Sequence, residues 1–361
     1  ANLTVTDAFN VGANTMILSG TNQLSGGAIT LNHVDSLIQA TGACTIDNNL
    51  TFSADSNANK GIDFNANVTV SGDISMTADV IFDFAANTLT YSGAAVNLGA
   101  NTLTLTGTGS FTNTNNLVLN HSDSLVKLAG CTVAKVSQTT TSNANKSINV
   151  ATTASTITTF TSSGNSRIDL GADLTITTAF NVGANTMILS GTNELAGGAI
   201  TLNNGDSLIQ ATAACTIANN LAFSADSNAS KGLDFNAAVT VSGNISMTAS
   251  PIIDFATNTL TYSGADIDLG AKTLTLTGTG NFTNTNNIVL DNADSLLKLT
   301  GCTVAKVSQT AVANASKGID VATTASTITT FNSGSSSRVA LGANLTITTA
   351  FSLGAFTMIL S

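Results

Sequence analysis

The sequence predicts an all-β protein, a parallel β-solenoid, and three observations carry that reading. A long internal repeat runs through the chain, short segments alternate apolar and polar residues, and Gly, Asn and Asp separate those segments without any helical stretch. Residues 14–31, NTMILSGTNQLSGGAITL, return at 185–202 as NTMILSGTNELAGGAITL. Diluted forms occupy 101–119 and 272–290, so each repeat is itself two related halves. Self-similarity at fixed period means a unit that stacks on copies of itself, with a core shared between neighbours.

Taken in order, the apolar pairs are Leu3/Val5, Phe9/Val11, Met16/Leu18, Ile29/Leu31, Cys44/Ile46, Leu50/Phe52, Ile62/Phe64, Val68/Val70 and Ile74/Met76. A period of two over a few residues, closed by turn formers, is the strand signal, and no segment sustains a helical period. Position 17 fixes the facing. It is Ile in Ile17 and Ile188 but Thr in Thr104 and Thr275, while its neighbours stay apolar, so it points outward. Grouping the alternations gives about three strands and roughly 21 residues per coil, hence about 17 coils and, at ~4.8 Å each, a rod of about 80 Å.

A sandwich or barrel would place the second copy in a separate domain behind a linker, and no Pro/Gly/Ser linker lies near Ala172. The predicted organisation is repeat unit 1 over 1–171, unit 2 over 172–342 and the start of a third over 343–361, as one continuous rod. Neither end turns polar as a terminal repeat should, which reads as a window cut from a longer array.

Composition narrows the function classes. The formal charge is −10, with only 9% charged residues and a single proline, Pro251. Nucleic-acid binding wants a basic stripe, and a membrane span wants about 20 consecutive apolar residues; neither is present. The opening Ala1-Asn2-Leu3-Thr4 has no signal-peptide pattern. An anionic Thr/Asn-rich surface suits an extracellular or cell-surface setting.

Residues that could carry chemistry are few. Cys44, Cys131, Cys215 and Cys302 recur at half-unit spacing, four coils apart, too far for a disulfide, so they read as small buried hydrophobes. His33 and His121 become Asn204 and Asn292 one repeat later, which marks a turn position rather than a base or ligand. The Asp of each D-S-L (Asp35, Asp123, Asp206, Asp294) reads as an Asx-turn former rather than a calcium ligand. Corner runs such as 47–49, 113–116 and 284–287 are expected to hold left-handed residues and Asn ladders.

The polar loop SNANKGID at 56–63 recurs at 142–149, 227–234 and 313–320, placing Lys60, Lys146, Lys231 and Lys317 as a widely spaced row of cations. These four are the candidate contact residues. T-x-T strands (Thr4/Thr6, Thr88/Thr90, Thr102/Thr104/Thr106) resemble those of ice-binding solenoids, but their uneven spacing along the chain predicts no continuous ladder.

Residues 14–31, with N-T-x-x-L-S-G-T-N and S-G-G-A-I-T-L, resemble the passenger repeats of bacterial autotransporters, filamentous-haemagglutinin-type adhesins and giant surface or fibre proteins. The resemblance implies a right-handed parallel β-helix, displayed on a cell surface or released. The expected function is therefore structural or adhesive, within a very large secreted or cell-surface repeat protein. A filament subunit stacking end to end is the first alternative. A polysaccharide-cleaving β-helix is the second, disfavoured because charged groups recur at equal phase and leave no unique carboxylate cluster. Expected partners are further copies of the repeat and possible surface glycans, with no catalytic residue, metal or cofactor.

Overall fold

The computed structural model describes residues 1–349, 351, 353 and 356–361. The chain is all-β, its parallel strands stacked as a β-solenoid of about 16 coils with roughly 22 residues per coil. By contact it divides into two compact units, Ala1–Thr178 and Ala179–Ser361.

The first coil of the first unit shows the plan. Strands Leu3–Val5, Phe9–Asn10 and Thr15–Leu18 occupy a first, second and third face. The next coil lays Gln23–Gly26, Ile29–Leu31 and Leu37–Ala40 against them. Leu3 faces Leu24, Phe9 faces Ile29 and Thr15 faces Leu37, all in parallel register. Like thus stacks on like from coil to coil.

Two departures from the expected plan have local causes. Coils lengthen where the SNANK loop is inserted, so that Gln39 lies beside Asp63 and Thr45 beside Thr69. In two coils of each unit the corner between first and second faces is absent. Thr132–Gln138 and Ser155–Ser162 run through as single strands, as do Thr303–Gln309 and Ser326–Ser333. None of these segments offers Gly or Asp at the place where the chain would bend, and β-branched Val, Ile and Thr favour continued strand.

The core is made by the alternate residues. Phe52, Phe82, Phe111 and Tyr91 are fully buried. Their rings form one chain of contacts, with centroids 5.3 Å apart for Phe52–Phe82, 6.4 Å for Phe82–Phe111 and 6.1 Å for Tyr91–Phe111. In the second unit Ile253 stands in the place of Phe82, and Phe255, the equivalent of Phe84, contacts Phe282, which stacks on Tyr262. Each such side chain contributes roughly 1.5–3 kcal/mol by leaving water. The buried Tyr91 hydroxyl donates to Ala94 O and accepts from Ile74 N, and Tyr262 does the same with Ala265 O and Ile245 N. No polar atom of either ring is left unpaired, as burial requires.

Position 17 faces outward as the repeat predicts. Ile17 is 59% exposed, whereas Leu103, Leu105 and Leu189 beside its equivalents are fully buried. The corners behave differently from expectation. Left-handed non-glycine residues occur at Asn59, Ala85, Asn145, Ser147, Ser230, Ala256 and Ser316, not in 47–49, 113–116 or 284–287. Corner Asn side chains also bond to backbone of neighbouring coils rather than to one another. Asn48 donates to Gly27 O, Asn115 to Gly93 O and Asn113 to Lys135 O. A backbone carbonyl is fixed by the sheet, so it is the better-placed acceptor.

Candidate functional site: the corner loops and the threonine face

Two sets of outward residues recur in both units, one at the corner between second and third faces and one on the first face. The corner begins with a tight turn at each D-S-L. Ser36 N donates to His33 O, and the buried Ser36 hydroxyl accepts from His33 N while donating to Gly12 O of the neighbouring coil. Ser124, Ser207 and Ser295 repeat this with Gly99, Gly183 and Gly270. The Ser of D-S-L thus clamps one coil to the next. Apart from its recurrence, nothing in the sequence signals that role.

The two histidines act as hydrogen-bond acceptors within this turn. His33 Nδ1 accepts from Asp35 N at 3.1 Å, and His121 Nδ1 from Asp123 N at 3.1 Å. One repeat later the acceptor is Asn204 Oδ1 or Asn292 Oδ1. The turn selects a side-chain acceptor two positions before the Asp, which an unprotonated imidazole Nδ1 and an amide oxygen both supply. It is this residue, not the Asp, that closes the Asx-type turn.

The Asp does something else. Asp35 Oδ1 accepts from Asn57 Nδ2 at 2.8 Å, and the pairs Asp123–Asn143, Asp206–Asn228 and Asp294–Asn314 repeat it at 2.8–2.9 Å. Each Asn opens an SNANK-type loop, so D-S-L of one coil holds the loop of the next. Backbone bonds complete the seat: Asn57 N to Val34 O and Gly61 N to Ser36 O. The expected assignment of Asp35 as its own turn former is corrected accordingly.

Within the loop, Lys60 N closes a turn onto Asn57 O, with Asn59 left-handed at φ 61°. Lys146, Lys231 and Lys317 sit in the same frame behind Asn145, Ser230 and Ser316. All four lysines are half-buried, and among the described residues none pairs with a carboxylate. The residue after Lys is also left-handed. At Gly61 a Cβ would stand 2.4 Å from Ile81 O, and glycine there lets the loop rejoin the third face closely. Ser147 is the exception, at φ 84°.

The cysteines are free. Burial pushes the thiols of Cys131, Cys215 and Cys302 up to about 11, which keeps them protonated and unreactive. Cys44 is only half-buried, and burial raises it as well. Carboxylates do approach one another on the third face, where Asp63 lies beside Asp83 and Asp234 beside Asp254. These groups already have partners. Gln39 donates to Asp63, Gln210 to Asp234, and the backbone N–H groups of Ala85 and Ala256 donate to Asp83 and Asp254. Among the described residues, no three His, Cys, Asp or Glu side chains converge as metal ligands would.

The chain matches no known protein family, no characterised protein and no solved structure.

The T-x-T strands do not stack on one another: Thr88–Tyr91 lies on the first face and Thr102–Thr106 on the third. On the first face, threonines that look irregular along the sequence fall into columns across the sheet. Thr45, Thr69, Thr90 and Thr112 are neighbours on four successive coils. A second column runs Thr88, Ser110, Thr132, Thr156 and Thr175. In the second unit the columns are Thr216, Thr240, Thr261 and Thr283, and Thr259, Asn281, Thr303, Thr327 and Thr346. The repeat of each column along the chain varies because corner loops lengthen some coils, while backbone pairing keeps the lateral register constant.

Proposed function

We propose that the chain is a structural and adhesive segment of a large secreted or cell-surface repeat protein, of the kind to which autotransporter passengers and filamentous adhesins belong. One observation carries this reading. The most elaborate polar arrangement in the protein, the Asp–Asn anchor with its lysine loop, occurs four times in equivalent settings. A catalytic centre concentrates its groups once; a display scaffold distributes them. The loops put Lys60, Lys146, Lys231 and Lys317 forward as contact points, on a chain of net charge −10, for an anionic surface polymer.

Adsorption of the full chain to dextran sulfate at low salt tests the assignment. Each Lys→Ala change should lower retention by a modest share, and the fourfold variant should abolish it, because weak contacts linked on one scaffold multiply. Complete loss from any single change would overturn a distributed contact. Absence of retention in the unaltered chain would overturn the adhesive role of the lysines.

A further inference from the structure

On the reading that the lysine loops contact an anionic polymer, we propose that each unit grips that polymer at one site on its third face. The site is Lys127, Lys146 and Arg167 in the first unit, and Lys298, Lys317 and Arg338 in the second. Two of the four loops are then the strong contacts.

The Asp–Asn anchor is common to all four loops, but the surroundings of the lysine are not. After its lysine, each loop returns to the third face through Gly61, Ser147, Gly232 or Gly318. On the next coil, Ile81 lies against Gly61 and Ile252 against Gly232. Arg338 lies against Gly318, and the pairing of Ile148 with Ile168 puts Arg167 beside Ser147. These are the only two arginines in the chain.

The coil before each loop differs in the same sense. Lys127 is the neighbour of Asn149, and Lys298 of Asp320. Beside the other two loops the third face carries Gln39 next to Asp63 and Gln210 next to Asp234, followed one coil on by Asp83 and Asp254. An anion approaching Lys60 or Lys231 therefore meets two carboxylates. At Lys146 and Lys317 it meets three cations on three successive coils, opposed by a single carboxylate, Asp169 or Asp320. Among the described residues, none of these six cations forms an ion pair with a carboxylate. An incoming anion relieves their mutual repulsion.

Arg338 is already positioned for this. Its Nε donates to Ala313 O at 3.1 Å, in the loop that carries Lys317. That bond orients the guanidinium and leaves its Nη groups for bidentate pairing with an oxyanion. A groove lined in part by Leu296, Lys317, Asp320, Arg338 and Ala340 lies at the same place. Lys146, Arg167, Lys317 and Arg338 are all half-buried, so salt screens them less than free surface charges. Three coils at about 4.8 Å spacing span about 10 Å, too far for one small ion to touch all three cations. A polymer with oxyanions on neighbouring residues can do so by running along the stack.

Salt elution of the full chain from dextran sulfate tests the proposal. Arg167→Ala with Arg338→Ala, and separately Lys146→Ala with Lys317→Ala, should each weaken binding by about tenfold. Lys60→Ala with Lys231→Ala should weaken it less than about twofold. Arg167→Lys with Arg338→Lys keeps the charge but not the fork, and should recover only part of the loss. Circular dichroism melting establishes that each variant folds. If the arginine-to-alanine pair melts early, the arginine-to-lysine pair should still bind more weakly than the unaltered chain. Equal losses from the Lys60/Lys231 and Lys146/Lys317 pairs would overturn the proposal while leaving the lysine loops as polymer contacts. Absence of retention in the unaltered chain would overturn both. Unchanged retention of the arginine variants, with loss of a dimer seen by sedimentation at low salt, would also overturn it, because the occupant would then be a second copy of the chain.

Discussion

The two units solve one structural problem in different ways, and the difference shows what the solenoid dictates and what it leaves open. Where the corner between first and second faces is lost, a glutamine ends the continuous strand and is buried: Gln138 in the first unit and Gln309 in the second. Gln138 Oε1 accepts from the buried Ser147 hydroxyl at 2.8 Å. In the second unit the equivalent of Ser147 is Gly318, and Gln309 Oε1 has no partner. Its amide donates to Ala311 O, as that of Gln138 does to Thr140 O, and also to Ser336 O. The first unit accepts a left-handed serine to complete a hydrogen bond. The second keeps an unstrained glycine and leaves an oxygen unsatisfied. Inward apolar residues barely differ between copies because each must fit the coils stacked against it. Corners touch fewer coils and can trade one cost for another.

Substitution at Ser147 sharpens that contrast most. Ser147→Ala keeps the left-handed strain and orphans Gln138 Oε1, so it should destabilise the full chain by about 1–3 kcal/mol. Ser147→Gly orphans the same oxygen but relieves the backbone, and should be less destabilising than Ser147→Ala by about 1 kcal/mol. Urea unfolding gives the midpoints, and hydrogen exchange at Ile148 and Val150 localises the effect. Equal losses for Ala and Gly would mean that the left-handed backbone at Ser147 stores no strain.

The same contrast explains what could be read from sequence. Position 17, the alternating core and the His/Asn exchange were legible because each depends on residue type at a fixed offset in the repeat. The threonine columns were not. Thr45, Thr69, Thr90 and Thr112 follow one another at unequal steps along the chain, so no constant period connects them. The insertion that lengthens one step is the SNANK loop, recognisable in sequence, but its effect on lateral register appears only when the strands are paired. The link from Asp35 to Asn57 was hidden for the same reason. Both residues were conspicuous, and only the step between coils brings them together.

A second difference between the copies is electrostatic, and it departs from the expected recurrence of charged groups at equal phase, because a group of three carboxylates occurs in the second unit alone. Ala95, Asn97 and Asn120 of the first unit become Asp266, Asp268 and Asp291 in the second. Partial desolvation, then the charges of Asp291 and Asp266, raise the Asp268 carboxyl above its ordinary value. A folded-state value above the unfolded one means that ionisation disfavours the fold. The penalty is absent below the unfolded value of about 3.9 and sets in as pH rises through the folded value. Asp268→Asn, which restores the residue of the first unit, should therefore raise Tm slightly at pH 7 and leave it unchanged near pH 3. Because Asp268 is exposed, salt should shrink the gain at pH 7. A gain that persists undiminished at pH 3 would point to the amide's own bonding rather than to relief of repulsion.

The smallest effect is expected where the copies differ most visibly in chemistry. His33 and Asn204 occupy one turn position, and each contributes a single acceptor to the N–H of the following Asp. If that acceptor is all the position requires, His33→Asn should move the urea midpoint by less than the equivalent of about 0.5 kcal/mol. His33→Leu, which removes the acceptor while keeping bulk, should cost about 0.5–1.5 kcal/mol, and Asn204→Leu should cost the same in the second unit. A loss from His33→Asn as large as that from His33→Leu would show that the imidazole does something an amide cannot. The turn would then be a site particular to the first unit, and the equivalence of the two copies would fail where an imidazole stands in place of an amide.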